Sequence, residues 1–166
     1  MRPTDKKQRS RLKYGAAATA LAVSFVGGWE GLQTVAYRDV VGVPTICYGE
    51  TRGVKLGDSA TKEQCDATLI KGLKEFEAGV MRCTPGLADK REHPDERVVA
   101  LVSFSYNVGI GAYCRSTLAR YFNAGRIKDA CDQLLRWNRA GGVVWRGLTN
   151  RRKAERELCL KGLTDA

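Results

Sequence analysis

The clearest periodic signal lies in the middle of the chain. Thr61-Lys-Glu-Gln64 is a capping box, and Cys65, Leu69, Leu73, Phe76 and Val80 follow at helical spacing, so one apolar stripe runs to about Arg82. Pro85, Gly86 and Pro94 make residues 84–94 a connection. A mostly apolar helix is predicted from about Asp95 to Asn107, at the domain centre, before Gly109 and Gly111 interrupt. A short helix follows at roughly 116–123, closed by Asn123 and Gly125; Ile127, Ala130, Cys131, Leu134 and Leu135 mark the next. The last runs from about Asn150 to Leu163, with Arg151/Glu155 and Lys153/Glu157 as i,i+4 pairs.

The texture upstream is different. From Leu32 to Tyr48 the apolar positions Val35, Tyr37, Val40, Val41, Val43 and Ile46 are broken by Gly42 and Pro44, which predicts short strands with tight turns. Strands followed by a run of helices give an α+β fold, with a small β-hairpin subdomain and a larger helical one. Ahead of both stands an apolar stretch, Tyr14 to Gly28, behind a cationic flank. Three readings compete for it: a cleaved signal peptide, a buried core helix, or a marginal membrane anchor able to leave the bilayer. It is shorter than the ~20 strongly apolar residues of a stable span. Its Ala, Gly, Thr and Ser favour the marginal anchor, because a cationic flank has no use in a core helix.

Charge adds a constraint. The chain of 166 residues carries a net charge of +10. Arg2, Lys6, Lys7, Arg9, Arg11 and Lys13 crowd the first thirteen positions against Asp5 alone, so residues 1–13 are expected to be a disordered basic tail. A basic body suits a polyanionic partner: nucleic acid, anionic lipid or an acidic cell-wall polymer. Six cysteines (Cys47, Cys65, Cys83, Cys114, Cys131, Cys159) are spread with no CxxC pair, which speaks against a zinc cluster and for disulfides in an oxidising compartment. No metal or other cofactor is expected. His93, in a polar Glu-His-Pro loop, is expected at the surface.

The candidate chemistry sits where the apolar stretch ends. Cleaving a glycosidic bond needs a protonated carboxyl at the leaving oxygen and a second group that stabilises the cation or aims a water. Glu30 follows Trp29 and the apolar segment, a setting that would desolvate a carboxyl. Asp39 lies nine residues on and Thr45 six beyond it. Alone, such a set is commonplace. Its surroundings are not: Glu30-Gly-Leu, Ala36-Tyr-Arg-Asp39-Val-Val-Gly42-Val-Pro-Thr45-Ile-Cys-Tyr-Gly49 resembles the catalytic segment of the phage-type lysozymes, glycoside hydrolase family 24, with its E-x8-D-x5-T signature. The segment from Phe104 to Leu118 resembles the family's central helix and cleft-lining turn. Arg136-Trp137, Ala140-Gly-Gly142 and Gly147 to Arg152 resemble its C-terminal helices, so coverage is about residues 29–163.

The resemblance implies a lysozyme-like fold and a monomeric endolysin that hydrolyses the β-1,4 bond between N-acetylmuramic acid and N-acetylglucosamine in peptidoglycan. Glu30 would be the general acid, and Asp39 and Thr45 would hold a water on the opposite face, the inverting geometry. Tyr106, Asn107 and Thr117 are candidates to line the glycan cleft. In the family-like order the disulfides would be 47–65, 83–114 and 131–159. One departure stands out: Glu50 follows Gly49 where the family usually has His. The basic tail, weak apolar segment and adjacent Glu resemble the signal-arrest-release (SAR) endolysins of phages infecting Gram-negative hosts. That implies residues 1–28 as tail and anchor, residues 29–166 as catalytic domain, and a protein held at the host inner membrane and then released to the periplasm.

Two rivals predict other properties. A lytic transglycosylase would protonate the same bond but close a 1,6-anhydro ring. A nucleic-acid-binding protein would use Arg136, Arg139, Arg146, Arg151 and Arg152 as its footprint, with Trp137 and Trp145 to stack on bases. The second leaves the cysteines, the apolar segment and the carboxylate spacing without a role.

Overall fold

A computed structural model of the protein describes residues 10–163, and its centre is a helix on which the three other long helices pack. That helix, α4 (Asp95–Val108), buries every residue from Arg97 to Ser105. Such a helix must be wrapped on all sides. Against it lie α2 (Ala16–Glu30), α3 (Lys62–Cys83) and α8 (Arg146–Leu160). Between α4 and α8 run three short helices, α5 (Ile110–Cys114), α6 (Thr117–Asn123) and α7 (Ile127–Gln133). The β-subdomain is one antiparallel hairpin, β1 (Gln33–Arg38) and β2 (Pro44–Cys47). The α+β expectation holds.

The apolar segment is a helix of the folded body. α2 buries Ala18, Ala22 and Val26, an i,i+4 row of small residues that lets its backbone come close to α3 and α4. Gly27, beside the row, allows another close approach: a Cβ there would lie 3.1 Å from the Tyr48 ring. The outer face is unusual, because Ala16, Ala17, Ala20, Ser24 and Gly28 are exposed and none is charged. At 15 residues α2 is ~22 Å long, and no described helix is long and apolar enough to cross a membrane.

The basic flank departs from expectation where it is described. Residues 1–9 of the predicted tail lie outside the described residues, but Arg11 to Tyr14 form one helical turn, α1, and Arg11 is buried. The reason is non-local. Arg11 finds acceptors on the loop that sequence alone left as a plain connection, including the carbonyls of Leu87 and His93. His93 is likewise corrected. It is 5% exposed, its ring lies 4.9 Å from Phe122, and its Nδ1 takes part in a 2.9 Å hydrogen bond with Arg97. Burial, then the Arg97 and Arg11 charges, pushes its imidazole below the usual histidine range.

The capping box is present, with Thr61 accepting from the Gln64 amide and the Gln64 side chain accepting from Thr61 N–H. The predicted helices fall within a few residues of their expected bounds, except that α8 begins at Arg146. Ala140-Gly-Gly142, read as part of a helical block, is instead the turn of a second hairpin, β3 (Arg139–Ala140) and β4 (Val143–Val144). Gly141 and Gly142 have φ of 56° and 79°, which helical geometry excludes and a tight hairpin turn requires. Gly109 and Gly111 do not leave a gap either, since α5 starts between them.

Three disulfides pair Cys47 with Cys65, Cys83 with Cys114 and Cys131 with Cys159, as the family-like order implies. The first fastens the hairpin to α3, the second α3 to α5, the third α7 to α8. Each closes a loop of 18 to 31 residues, worth about 3–4 kcal/mol in the chain-entropy treatment. A reducing buffer should therefore lower the thermal midpoint by well over ten degrees. Scanning calorimetry with and without dithiothreitol checks this, and an unchanged midpoint would refute it.

Candidate active site

The site forms where α2 stops and the hairpin starts. Gly31, at φ 76°, ends the helix and turns the chain directly into β1, so Glu30 is the last helical residue. Glu30 lines a cavity of about 390 Å³ between the hairpin side and α3. Tyr48, Glu50, Arg52, Glu75, Phe76 and Tyr106 share that lining.

Behind Glu30 stands Arg151, whose i,i+4 spacing to Glu155 predicts only an ordinary helix pair. Arg151 Nη1 donates to Glu30 Oε1 at 2.9 Å, and Arg151 Nε donates to Glu155 Oε1 at 3.1 Å. Its second terminal nitrogen donates to the Ser103 carbonyl at 3.3 Å. Glu155 also accepts from the Ser103 hydroxyl at 2.7 Å and lies 2.7 Å from Arg152 Nη1. Burial pushes the Glu155 carboxyl up, while Arg152, Ser103 and Arg151 oppose the shift. A buried network of this kind fixes the guanidinium, and the guanidinium fixes one oxygen of Glu30. The signal available in sequence was the Arg151/Glu155 spacing; nothing local linked it to a carboxylate 121 residues away.

Asp39 and Thr45 both bond to the backbone of one residue, Val43, and both lie outside the lining of the cavity at Glu30. Asp39 Oδ1 accepts from Val43 N at 2.8 Å and from Val41 N at 3.0 Å, while Thr45 Oγ1 donates to the Val43 carbonyl at 2.9 Å. The strand register pairs Arg38 with Pro44 and Tyr37 with Thr45, so both side chains sit at the turn end of the hairpin. Thr45 is buried and Asp39 half-buried. Beside them Val40 and Val41 are exposed at the tip.

Of the predicted glycan contacts, Tyr106 lies on the cavity wall. Its ring packs on Phe76 at 5.1 Å, and burial, then the Glu30 and Glu50 charges, pushes its phenol up. Asn107 accepts a short hydrogen bond from Arg152, and Thr117 opens α6 after its cap Ser116; both lie outside the cavity lining. Glu50 is on the wall but engaged. Arg52 bonds it at 3.1 Å and 3.2 Å, which holds its carboxyl below the usual range, and reaches Glu75 at 4.0 Å. The pairs involving Arg52 are exposed and contribute little to stability.

The nucleic-acid footprint does not survive as drawn. Arg151 and Arg152 are buried in the network behind Glu30, and Trp137 packs against Phe104 at 5.2 Å. A hairpin subdomain and a helical body, meeting at a cleft with one carboxyl held from behind by a buried arginine, define a glycoside hydrolase of the lysozyme type.

Comparison with known proteins agrees. The family described as phage lysozyme matches residues 27–155, and the chain belongs to that family. It is therefore a peptidoglycan-hydrolysing enzyme. It is 40% identical over 168 residues to the SAR-endolysin of Enterobacteria phage P21, covering 98% of this chain and 99% of that one. It is 42% identical over 149 residues to the SAR-endolysin of Pseudomonas phage phiKMV, covering 87% and 89%. Among solved structures, the active form of the P1 phage endolysin Lyz matches with a TM-score of 0.75 at 27% identity, over 87% of this chain and 85% of that one.

Proposed function

We propose that the enzyme hydrolyses the β-1,4 bond between N-acetylmuramic acid and N-acetylglucosamine with inversion, Glu30 donating the proton. The observation that carries this reading is the placement of Glu30. It sits at the cleft wall with Oε1 bonded to Arg151, leaving Oε2 for the leaving oxygen. Asp39 and Thr45 then hold the attacking water, and their bonds to the N–H and the carbonyl of Val43 keep their spacing fixed. Tyr106 supports the sugar at the wall, with Asn107 and Thr117 extending the contact along the strand.

In the same reading residues 14–28 are a signal-anchor before they are α2, and the chain moves from the host inner membrane to the periplasm. The uncharged outer face of α2 supports this, because a helix shaped only by the folded body would present polar residues to water there. The relatives described as SAR-endolysins support it as well.

Digestion of purified peptidoglycan is the test. The expected product ends in reducing N-acetylmuramic acid, and early-time NMR should show its α-anomer first. Anhydro-muramic acid would make the enzyme a transglycosylase, and the β-anomer would contradict inversion.

A further inference from the structure

The short arm ahead of α2 is held by a seat that catalysis does not use. Arg11 is 1% exposed. Its Nη1 donates to the His93 carbonyl at 2.5 Å and lies 3.2 Å from Asp95 Oδ1, while Nη2 donates to the Leu87 carbonyl at 2.7 Å. Glu77, on α3 and also 1% exposed, takes three further donors of the arm. Its Oε1 accepts from the backbone N–H of Arg11 at 2.7 Å and of Leu12 at 3.3 Å, and its other oxygen accepts from the Ser10 hydroxyl. The seat thus draws on α3, the turn at residues 85–88 and the start of α4.

Its chemistry selects the occupant. Acceptors meet both terminal nitrogens of Arg11, a planar fork that an ammonium does not reproduce. The nearby cation, Arg97, is no substitute, because its donors go to the carbonyls of Glu92, Cys159 and Lys161 and to His93. With the arm away, the Glu77 carboxylate and two carbonyls would lose their donors, a costly state for buried groups. The arm is coupled to the site through a tight turn. Thr19 Oγ1 donates to the Leu12 carbonyl at 2.7 Å, and Gly15 sits so close that a Cβ would come within 2.7 Å of the Arg11 carbonyl oxygen. From there α2 runs without a break to Glu30.

We propose that Glu77, Asp95 and the carbonyls of Leu87 and His93 form a guanidinium receptor on the catalytic body, and that Arg11 docking there holds residues 10–30 in the arrangement that sets Glu30 in the cleft. The receptor acts in solution; only its place as the step after release rests on the signal-anchor reading. Arg11 is a positioning residue that never meets substrate.

Full-length Arg11→Ala, compared with the parent by hydrogen exchange and by peptidoglycan clearing, tests this. Exchange across residues 11–30 should rise on the order of 100-fold while α4 and α8 keep their protection, and clearing should fall with it. Millimolar ethylguanidinium should restore both; ethylammonium, with the same charge, should restore neither. Unchanged protection of residues 11–30, equal loss in every helix, or equal rescue by ethylammonium would overturn the receptor. If Arg11→Ala does not fold, Glu77→Gln serves in its place. It should weaken protection over the same residues, and wild-type protection there would count against the proposal. Vesicles of phosphatidylethanolamine and phosphatidylglycerol separate the two readings. An opened arm that ignores them defeats the signal-anchor, while the exchange pattern still decides the receptor.

Discussion

Glu30→Gln should abolish peptidoglycan hydrolysis while leaving a folded protein. General-acid catalysis is worth on the order of 10²–10⁴-fold, and an amide cannot supply the proton. The structure explains why the fold should tolerate the change. The Gln oxygen can still accept from Arg151 Nη1, and Arg151 keeps Glu155 as its counter-charge. The buried network therefore loses no partner outright. Circular dichroism and a thermal midpoint close to the parent's would establish folding, and clearing assays would read activity. A folded Glu30→Gln protein with near-normal rates would move the acid to another residue. Asp39 needs a more careful design, because its Oδ1 also holds the hairpin turn through Val41 and Val43. Asn keeps an oxygen for that turn where Ala does not. Asp39→Asn should lose less activity than Glu30→Gln, and with the turn kept that loss reads the role of the Asp39 carboxylate at the water.

Much of the frame could be inferred from local pattern. The Thr61 capping box and the stripe from Cys65 to Val80 fixed α3 because both signals act within one or two turns. The E-x8-D-x5-T spacing located the candidate carboxylates, and the family-like order implied the disulfides. Where the structure departs from local pattern, one cause recurs. Arg11 was assigned to a solvated tail because its composition is basic, and the acceptors that bury it lie more than 75 residues downstream. His93 was placed at the surface by its polar neighbours, yet that loop is roofed by the same arm. Arg151 was seen as an i,i+4 pair with Glu155; that the pair is buried, and aimed at Glu30, depends on how α8 packs on α4. Gly141-Gly142 carried a hairpin signal in two residues, but strands of two residues each leave no alternation to support it.

The second large effect concerns α2. Replacing Ala17, Ala20 and Ser24 together with Leu should lock the enzyme in the membrane, folded but silent. These three positions face solvent in the docked helix, so added bulk there leaves the packing of Ala18, Ala22 and Val26 untouched. Leu at Ala18 or Ala22 would instead overpack the α2 interface and destroy activity with or without a membrane. In the bilayer each added methylene contributes roughly 0.8 kcal/mol, so three replacements change retention by several kcal/mol. A retained α2 cannot lie against α4, and Glu30 at its end cannot then meet Arg151. A misplacement of about 1 Å already costs roughly 100-fold in rate. The variant should fractionate with the inner membrane, fail to lyse cells, and clear peptidoglycan once detergent lets α2 dock. The active parent should have the intact mass of the uncleaved chain. If the variant is soluble and active, or if the active parent begins after Ala22, the segment does not act as a reversible anchor.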